Sequence, residues 1–456
     1  MSPKKNVILG YDAVSALGTD LGGQWERAVR GESGIGPLTR FPTAPDFPVR
    51  VAGEVAEIGV APYPFLSPRS LALWPSPLFK YALLVVHRAL AKSGIEIGPE
   101  LSPRVAVTFS SAIGGQDALL AADRRMVAEG KLPPPYANPN SCINMVGGKV
   151  AMLAGATGPI AATITACATG VTSMIMGALL LDAGKADVAI CGAADFPLVA
   201  PIVAGFATMN GAYQSRPDRL EEAPGRASRP FSFGRRGFVI SEGAACVILA
   251  TAAFAQAYGL APAFEIAGWG MTSDAHHFVA PYLKTVTRCM AESVDNAGIS
   301  LHDVAAVNAH AASTKIGDQV EYEALKAVFG DRIPPVAANK SMIGHAMGAS
   351  SAIESVFAME GMLSDTLLPT INYVPDPEVV LDCVPEGARF LRQEFVLKNS
   401  FGLSLRAAYR AAAASFETRF LISLCAGRFT TEILAGVVTL LNEWMAHFAS
   451  AEIWYE

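Results

Sequence analysis

Cys167 stands in the run Thr163-Ile164-Thr165-Ala166-Cys167-Ala168-Thr169-Gly170, with a strand-like segment before it and the helical stretch Val171 to Ala183 after it. That pattern places a thiol at a strand-to-helix turn, at the N-terminus of a buried helix. Exposed N–H groups and the helix dipole favour thiolate there, lowering the cysteine pKa and making the sulfur nucleophilic. The same N–H groups can stabilise an oxyanion. A nucleophilic thiol that handles acyl groups needs proton donors or acceptors close by, and two of the seven histidines stand in suitable company. His310 ends the apolar run Val304 to Ala309 and precedes Ala-Ala-Ser-Thr. His345 lies in Asn339-Lys340-Ser341-Met342-Ile343-Gly344-His345-Ala346-Met347-Gly348-Ala349. Small residues around an imidazole mark a pocket approached closely by backbone or ligand. Taken singly, each of these side chains also reads as an ordinary buried core group. Cys191, Cys246 and Cys289 are expected to be inert buried thiols. His87, His276, His277, His302 and His447 lack such a setting and are expected to be structural or surface residues.

Elements must position these groups. The runs Val7 to Tyr11, Val105 to Phe109, Asp187 to Cys191 and Ala245 to Leu249 predict strands; Pro77 to Gly94 and Val171 to Ala183 predict helices. Such alternation predicts a layered α/β body. A strand-like run ends in a reactive-looking loop at Ala161 to Gly170 and again at Ala305 to Thr314, which suggests two similar halves with a boundary near Thr251 to Pro262. Leu132 to Asn140 and Ser215 to Arg236 read as long loops of the kind that cover sites or form interfaces. Composition shifts after Leu405. An alanine run, Ala411 to Ala414, leads to the amphipathic stretch Thr431 to Phe448, whose apolar positions follow helical spacing.

The chain has 456 residues, 51% hydrophobic and only 17% charged, which excludes a disordered tail or a coiled coil. A net charge of −6 argues against a general nucleic-acid binder. The longest apolar runs, such as Ile433 to Leu441, fall short of the roughly 18 residues of a spanning helix, so no membrane span is expected. The seven cysteines are scattered without a C-x-x-C pair. This argues against a disulfide framework or a zinc site and for a reducing cytoplasm. The apolar surplus fits a large core and a subunit interface.

The residues carry a resemblance. Thr165-Ala166-Cys167-Ala168-Thr169-Gly170 resembles the T-A-C-A/T-S/T-G nucleophile motif of the elongating β-ketoacyl synthases of the thiolase superfamily. His310 through Asp318, followed by Glu321, is similar to that family's H-G-T-x-T-x-x-G-D-x-x-E. Asn339 through Ala349, with Glu354, is similar to N-K-S-x-x-G-H-x-x-G-A-A-x-x-x-E. Lesser matches are Trp25 with Gly31 to Ile35, Pro230 to Arg235, Gly237 to Val239, Glu242 to Ala244, and Asn399-Ser400-Phe401-Gly402. They span roughly residues 6 to 403, in the family's order.

The resemblance implies two thiolase-like α/β halves stacked as α-β-α-β-α layers, residues 1–255 carrying the cysteine and 256–405 the two histidines, working as a homodimer. It implies that Cys167 takes an acyl group from a thioester and that a malonyl thioester on a carrier protein then loses carbon dioxide and attacks it. His310 and His345 would be neutral imidazoles donating hydrogen bonds to the thioester carbonyl. Lys340, paired with Glu354, would set local charge and orient them. Thr314 would bind the pantetheine arm, with Phe401, Gly402 and Leu403 at the substrate and Asp318 supporting the site. The N–H groups of Cys167 and Leu403 would form the oxyanion hole. No metal or redox cofactor is implied, and an acyl carrier protein would be supplied in trans. Such a carrier is acidic, and Ser215 to Arg236 holds candidate basic contacts.

The chain departs from the family in places. Ala311-Ala312 replace Gly-Thr after the first histidine. Ser232 and Arg236 replace two aspartates, so the local ion-pair network must differ. After Gly402 the family continues F-G-G-T-N into a closing strand; here Leu403-Ser404-Leu405-Arg406 follows, and the next segment does not read as a strand. Three readings stand: the loop after Gly402 is altered with changed gating, the tail 406–456 is a helical appendage, or residues 404–456 are a shifted reading frame. Two other readings of the whole are a non-catalytic, chain-length-factor-like partner of a heterodimer, against which Cys167 argues, and a hydrolase or acyltransferase using Cys167 without decarboxylation.

Overall fold

The computed structural model describes residues 5–215, 223–277, 280–402, 405–412 and 419–424, the last two stretches by backbone alone. Among the described residues ten strands join one sheet: β1 (Asn6–Val14), β2 (Val105–Val107), β3 (Val188–Asp195), β4 (Gly243–Thr251), β5 (Phe264–Ser273), β6 (Val304–Asn308), β7 (Val336–Ala337), β8 (Phe395–Gly402), β9 (Leu405–Ala412) and β10 (Arg419–Leu424). Their spatial order is β2-β3-β4-β1-β5-β9-β10-β8-β6-β7, with β8 also bonded directly to β9. Most of β1, β3, β4 and β8 is buried and apolar, as strands covered on both faces must be.

The two halves share a topology. In the first, β2 runs parallel to β3, β3 antiparallel to β4, and β4 antiparallel to β1. In the second, β6 runs parallel to β8, β8 antiparallel to β9, and β9 antiparallel to β5. A short ladder between Asn6–Ile8 of β1 and Phe264–Ile266 of β5 joins them.

Six helices matter for the site: α1 (Pro77–Ser93), α2 (Thr169–Asp182), α3 (Leu283–Asp295), α4 (Lys315–Phe329), α5 (Lys340–Ile343) and α6 (Met347–Leu363). Outside, α1 packs on β1 and β4, and α3 packs on β5 and α4. Between the halves, α2 and α6 pack on each other and on strands of both, which completes the α-β-α-β-α layering. Both inner helices are buried on nearly every side, and apart from Glu354, Glu360 and the terminal Asp182 their sequences are accordingly apolar or small. Gly170 permits their close crossing: a Cβ there would lie 2.6 Å from the Ala352 Cβ.

Two expectations fail. Residues 161–165 form no ladder and are preceded by a single bridge between Val107 and Ile160. They flank the outer strand of the first half, where Ala161 N still donates to the Val107 carbonyl, and pair with no further strand among the described residues. The segment after Gly402 does form a closing strand, since β9 takes the place that β4 takes in the first half. Alanine is a poor strand former, but the facing edges of β5 and β8 offer unpaired backbone groups that outweigh propensity. The expected division at residue 405/406 thus falls within β9. Leu403 and the amphipathic stretch Thr431 to Phe448 lie outside the described residues. Cys191, Cys246 and Cys289 are buried thiols as expected, whereas Cys142 is exposed. Among the described residues no helix is long and apolar enough to cross a membrane.

Candidate active site

Cys167 lies in a tight turn, Ala166–Ala168, that feeds directly into α2. Ala166 has φ of +49°, left-handed for a residue with a Cβ, a conformation costing on the order of 1–2 kcal/mol. The surroundings hold it there. Thr165 N donates to Thr169 Oγ1 at 3.1 Å, and that hydroxyl donates to the Ala166 carbonyl at 2.7 Å. The Thr165 and Thr172 hydroxyls bond to each other. From behind, the tip of β8 closes in: Ser400 Oγ donates to the Cys167 carbonyl at 3.3 Å. Gly402 lies so near that a Cβ would collide with the Thr165 carbonyl.

His345 Nε2 lies 3.0 Å from Cys167 Sγ. Its Nδ1 lies 2.9 Å from Ser350 Oγ, which accepts from Ala346 N at 2.7 Å. That N–H occupies one lone pair of the hydroxyl oxygen and leaves its own proton free to point at Nδ1, the assignment adopted here. The neutral ring then carries its proton on Nε2, aimed at the sulfur. Burial holds the His345 pKa well below the usual imidazole range, and the positive charges of Lys340 and Lys398 act in the same direction. The imidazole is therefore neutral at neutral pH.

The sulfur does not behave as the turn suggests. Burial pushes the Cys167 thiol up to about 12, and the Lys340 charge only partly opposes it. The expected lowering at a helix N-terminus is outweighed by loss of water, so the resting group is a thiol.

His310 follows β6 and sets its ring edge-on to His345, with centroids 5.7 Å apart; Phe401 packs against it at 5.1 Å. Its backbone is gripped from both sides. Glu321 accepts from His310 N at 2.9 Å and from Ala311 N at 2.7 Å. Lys340 Nζ donates to the His310 carbonyl and to Glu354, each at 2.6 Å. Lys398 Nζ donates to the other Glu354 oxygen at 2.7 Å and to the Ala309 carbonyl at 3.3 Å. Lys340, Glu354, Lys398 and Glu321 are all buried. Cys167, His310, His345, Lys340 and Glu354 thus meet at one place.

Other expected residues stand around this centre. Thr314 caps the start of α4 and is partly exposed, its N–H bonded to Asp318 at 3.0 Å. Asp318 also accepts from Phe231 N at 2.8 Å, so it braces the loop carrying Thr314 and does not touch the imidazoles. The altered ion-pair network is visible. Arg235 pairs with Asp376 at 2.5 Å, Ser232 Oγ accepts from Val374 N, and Arg236 lies over the Tyr213 ring. Among the described residues no group of three His, Cys, Asp or Glu side chains is placed to hold a metal ion.

Four further residues support the site without a sequence signal that singles them out. Lys398 and Ser350 occur in no motif as site residues, and Glu321 was noted only as part of a pattern. Asp195, whose carboxyl burial raises to about 6, joins Ser111 and the loop N–H groups of Ala112 and Ile113 to the start of α6 at Ala349 N. A lysine within the otherwise uncharged buried run Phe395 to Phe401 was the one available signal, because a fully buried cation demands partners.

Residues 4–255 match the β-ketoacyl synthase N-terminal domain, and residues 263–374 the β-ketoacyl synthase C-terminal domain. The chain is 34% identical over 405 residues to the 3-oxoacyl-[acyl-carrier-protein] synthase 2 of Staphylococcus aureus (strain COL), covering 88% of this chain and 95% of that one. It is 35% identical over 415 residues to the protein of that name from Coxiella burnetii (strain RSA 493 / Nine Mile phase I), covering 88% and 96%. A β-ketoacyl synthase structure from Burkholderia phymatum STM815 superposes with a TM-score of 0.81 at 27% identity, over 90% of this chain and all of that one. A chain from the complex of a type II PKS acyl-carrier protein with its ketosynthase, bound to the hexaketide, gives 0.81 at 26% identity, over 91% and all of that chain. With a thiol, two imidazoles and a buried lysine set on this two-halved frame, the chain belongs to the β-ketoacyl synthase family.

Proposed function

We propose that this protein condenses an acyl thioester with a malonyl-carrier-protein thioester, releasing carbon dioxide and a β-ketoacyl-carrier protein. The observation that carries the reading is Cys167 Sγ at 3.0 Å from His345 Nε2, with His310 edge-on to the same imidazole. In the first half-reaction the sulfur bonds to the acyl carbon and the carrier C–S bond breaks. The thiol proton ends on the departing carrier thiol. In the second, the malonyl carboxylate leaves as carbon dioxide and its electron pair becomes an enolate. That enolate attacks the acyl carbon, and the sulfur leaves and regains a proton.

Neutral His345, with its proton on Nε2, serves as a donor to the developing enolate oxygen, and His310 is its companion donor. Lys340 and Glu354 position them. Thr314 sits at the rim, where a pantetheine arm would pass; Phe401 and Gly402 shape the wall behind the imidazole and the sulfur. Leu403, outside the described residues, keeps its assignment to the gate and oxyanion hole. The reaction as proposed draws on no bound cofactor; the carrier's phosphopantetheine brings the substrates. We place the protein in the cytoplasm, on the scatter of its cysteines.

A homodimer fits the first half's edge. Residues 160–164 leave Ile160 and Ile164 51% and 40% exposed beside a chain segment without a ladder partner. A second copy would cover both. The halves 1–255 and 256–405 and the segment 406–456 remain the working division, with β9 shared across the last boundary. The test is intact mass before and after exposure to an acyl carrier thioester, followed by malonyl carrier. An acyl mass on Cys167 and subsequent carbon dioxide release support the reading. Release of free acid without condensation would move it to a hydrolase.

A further inference from the structure

Lys398 is buried completely, on β8, with no role in the steps above. Its ammonium makes three contacts: Glu354 at 2.7 Å, the Ala309 carbonyl at 3.3 Å and the Asn399 carbonyl at 2.8 Å. Lys340 takes the other Glu354 oxygen and the next carbonyl along the chain, that of His310. Glu321 takes the N–H groups of His310 and Ala311, and Asn399 Nδ2 donates to Glu321 at 3.0 Å. Two cations thus hold consecutive carbonyls, and one carboxylate holds consecutive N–H groups, around a single imidazole-bearing residue.

We propose that Lys398 is a positioning residue for the condensation step: with Lys340 it divides the Glu354 carboxylate and clamps the Ala309–His310–Ala311 backbone, so that the His310 ring is fixed where the enolate oxygen develops. The inference rests on the ketosynthase reading and deepens it. One lysine and one carboxylate would already make a buried pair. A second buried lysine is costly unless its contacts do something a smaller apolar group could not. Its contacts are to the peptide of the catalytic imidazole. Hydrogen bonds from a charged donor are roughly twice as strong as neutral ones, so the clamp is stiff while Lys398 is protonated.

The groups facing Lys398 are Glu354 on α6, Lys340 on α5, Glu321 on α4 and the imidazole of His345. Burial lowers the Lys398 pKa to about 8, with Glu354 opposing the shift and Lys340 adding to it. Lys398 is therefore charged below about pH 8 and neutral above it, and the clamp slackens as pH rises. Acyl loading does not use His310, and loading is helped by rising pH through the Cys167 thiol. The two half-reactions should diverge in alkali.

The experiment measures single-turnover acyl loading and decarboxylative condensation across pH, in the wild-type protein and in Lys398→Met and Lys398→Gln, with thermal melts to establish folding. The wild type is expected to load faster but condense more slowly above about pH 8. Folded variants are expected to load within about threefold of wild type, to condense about 30- to 100-fold more slowly, and to lose the alkaline decline. Variants that condense at the wild-type rate with an unchanged decline overturn the proposal, as do variants in which loading and condensation fall together. If neither variant folds, the wild-type profile decides. Condensation that keeps pace with loading into alkali overturns the clamp, and divergence supports it. A wild-type protein that neither loads nor condenses overturns the ketosynthase reading, and this inference with it.

Discussion

Cys167 and His345 touch, yet neither is charged at rest: burial raises the thiol and lowers the imidazole. Under the proposed function this divides their labour. A neutral imidazole with its proton on Nε2 would donate to the sulfur, and later to an enolate, without taking the thiol's proton. His345→Ala and His310→Ala are each expected to lower condensation by about 10² to 10³ while sparing loading more, the range seen when one oxyanion donor is lost. Comparing acyl-enzyme mass with β-ketoacyl product checks this, and equal loss of loading would sink the role assignment. Ser350→Ala removes the hydroxyl that fixes the tautomer, a hydrogen bond worth about 1 kcal/mol. Condensation should fall roughly fivefold with the fold intact, and an unchanged rate would show that the tautomer needs no such support. The raised thiol has a pH signature. Alkylation of Cys167, followed by peptide mapping, should keep accelerating from about pH 7 to about pH 10. A plateau near neutrality would mean that the helix N-terminus prevails over burial after all.

At the scale of elements, the site is a meeting of ends: the turn into α2, the loop after β6, the start of α6 and the tip of β8. Gly402 makes the closest of these approaches. Gly402→Ala would drive a Cβ into the Thr165 carbonyl and displace the nucleophile turn, at about 1–3 kcal/mol. Loading should fall at least tenfold with a lower melting temperature, and wild-type loading in that variant would show that the turn yields freely. The elements also show what a sequence can reveal. Cys167, His310 and His345 stood out because each sits among small residues that allow a close approach, whereas Lys340 was legible only through the resemblance to a family motif. The layered frame was legible from alternating runs such as Val105 to Phe109 and Pro77 to Gly94. Lys398 and Asp195 were not, because their partners lie far away in the chain and nothing local marks a buried charge as functional. The strand at Leu405–Ala412 was missed for a different reason. Its residues favour helix, and only the waiting edges of β5 and β8 make it a strand.

For the whole molecule, the layering that buries α2 and α6 also buries the chemistry between two topologically equal halves. It leaves one edge of the first half, around Ile160 and Ile164, apolar, exposed and, among the described residues, without a strand beyond it. Sedimentation should find twice the 47.8 kDa chain mass, and Ile164→Asp should shift the population toward monomer. A wild-type monomer at micromolar concentration would contradict the expected dimer. The covalent acyl-enzyme itself is read out by intact mass. The purified protein is weighed before and after incubation with a medium-chain acyl carrier thioester, and the adduct is mapped. The account predicts a starting mass of 47.8 kDa, an added acyl mass on Cys167, and its discharge with carbon dioxide release when malonyl carrier follows. A correctly sized protein that takes no acyl group across several chain lengths would contradict it.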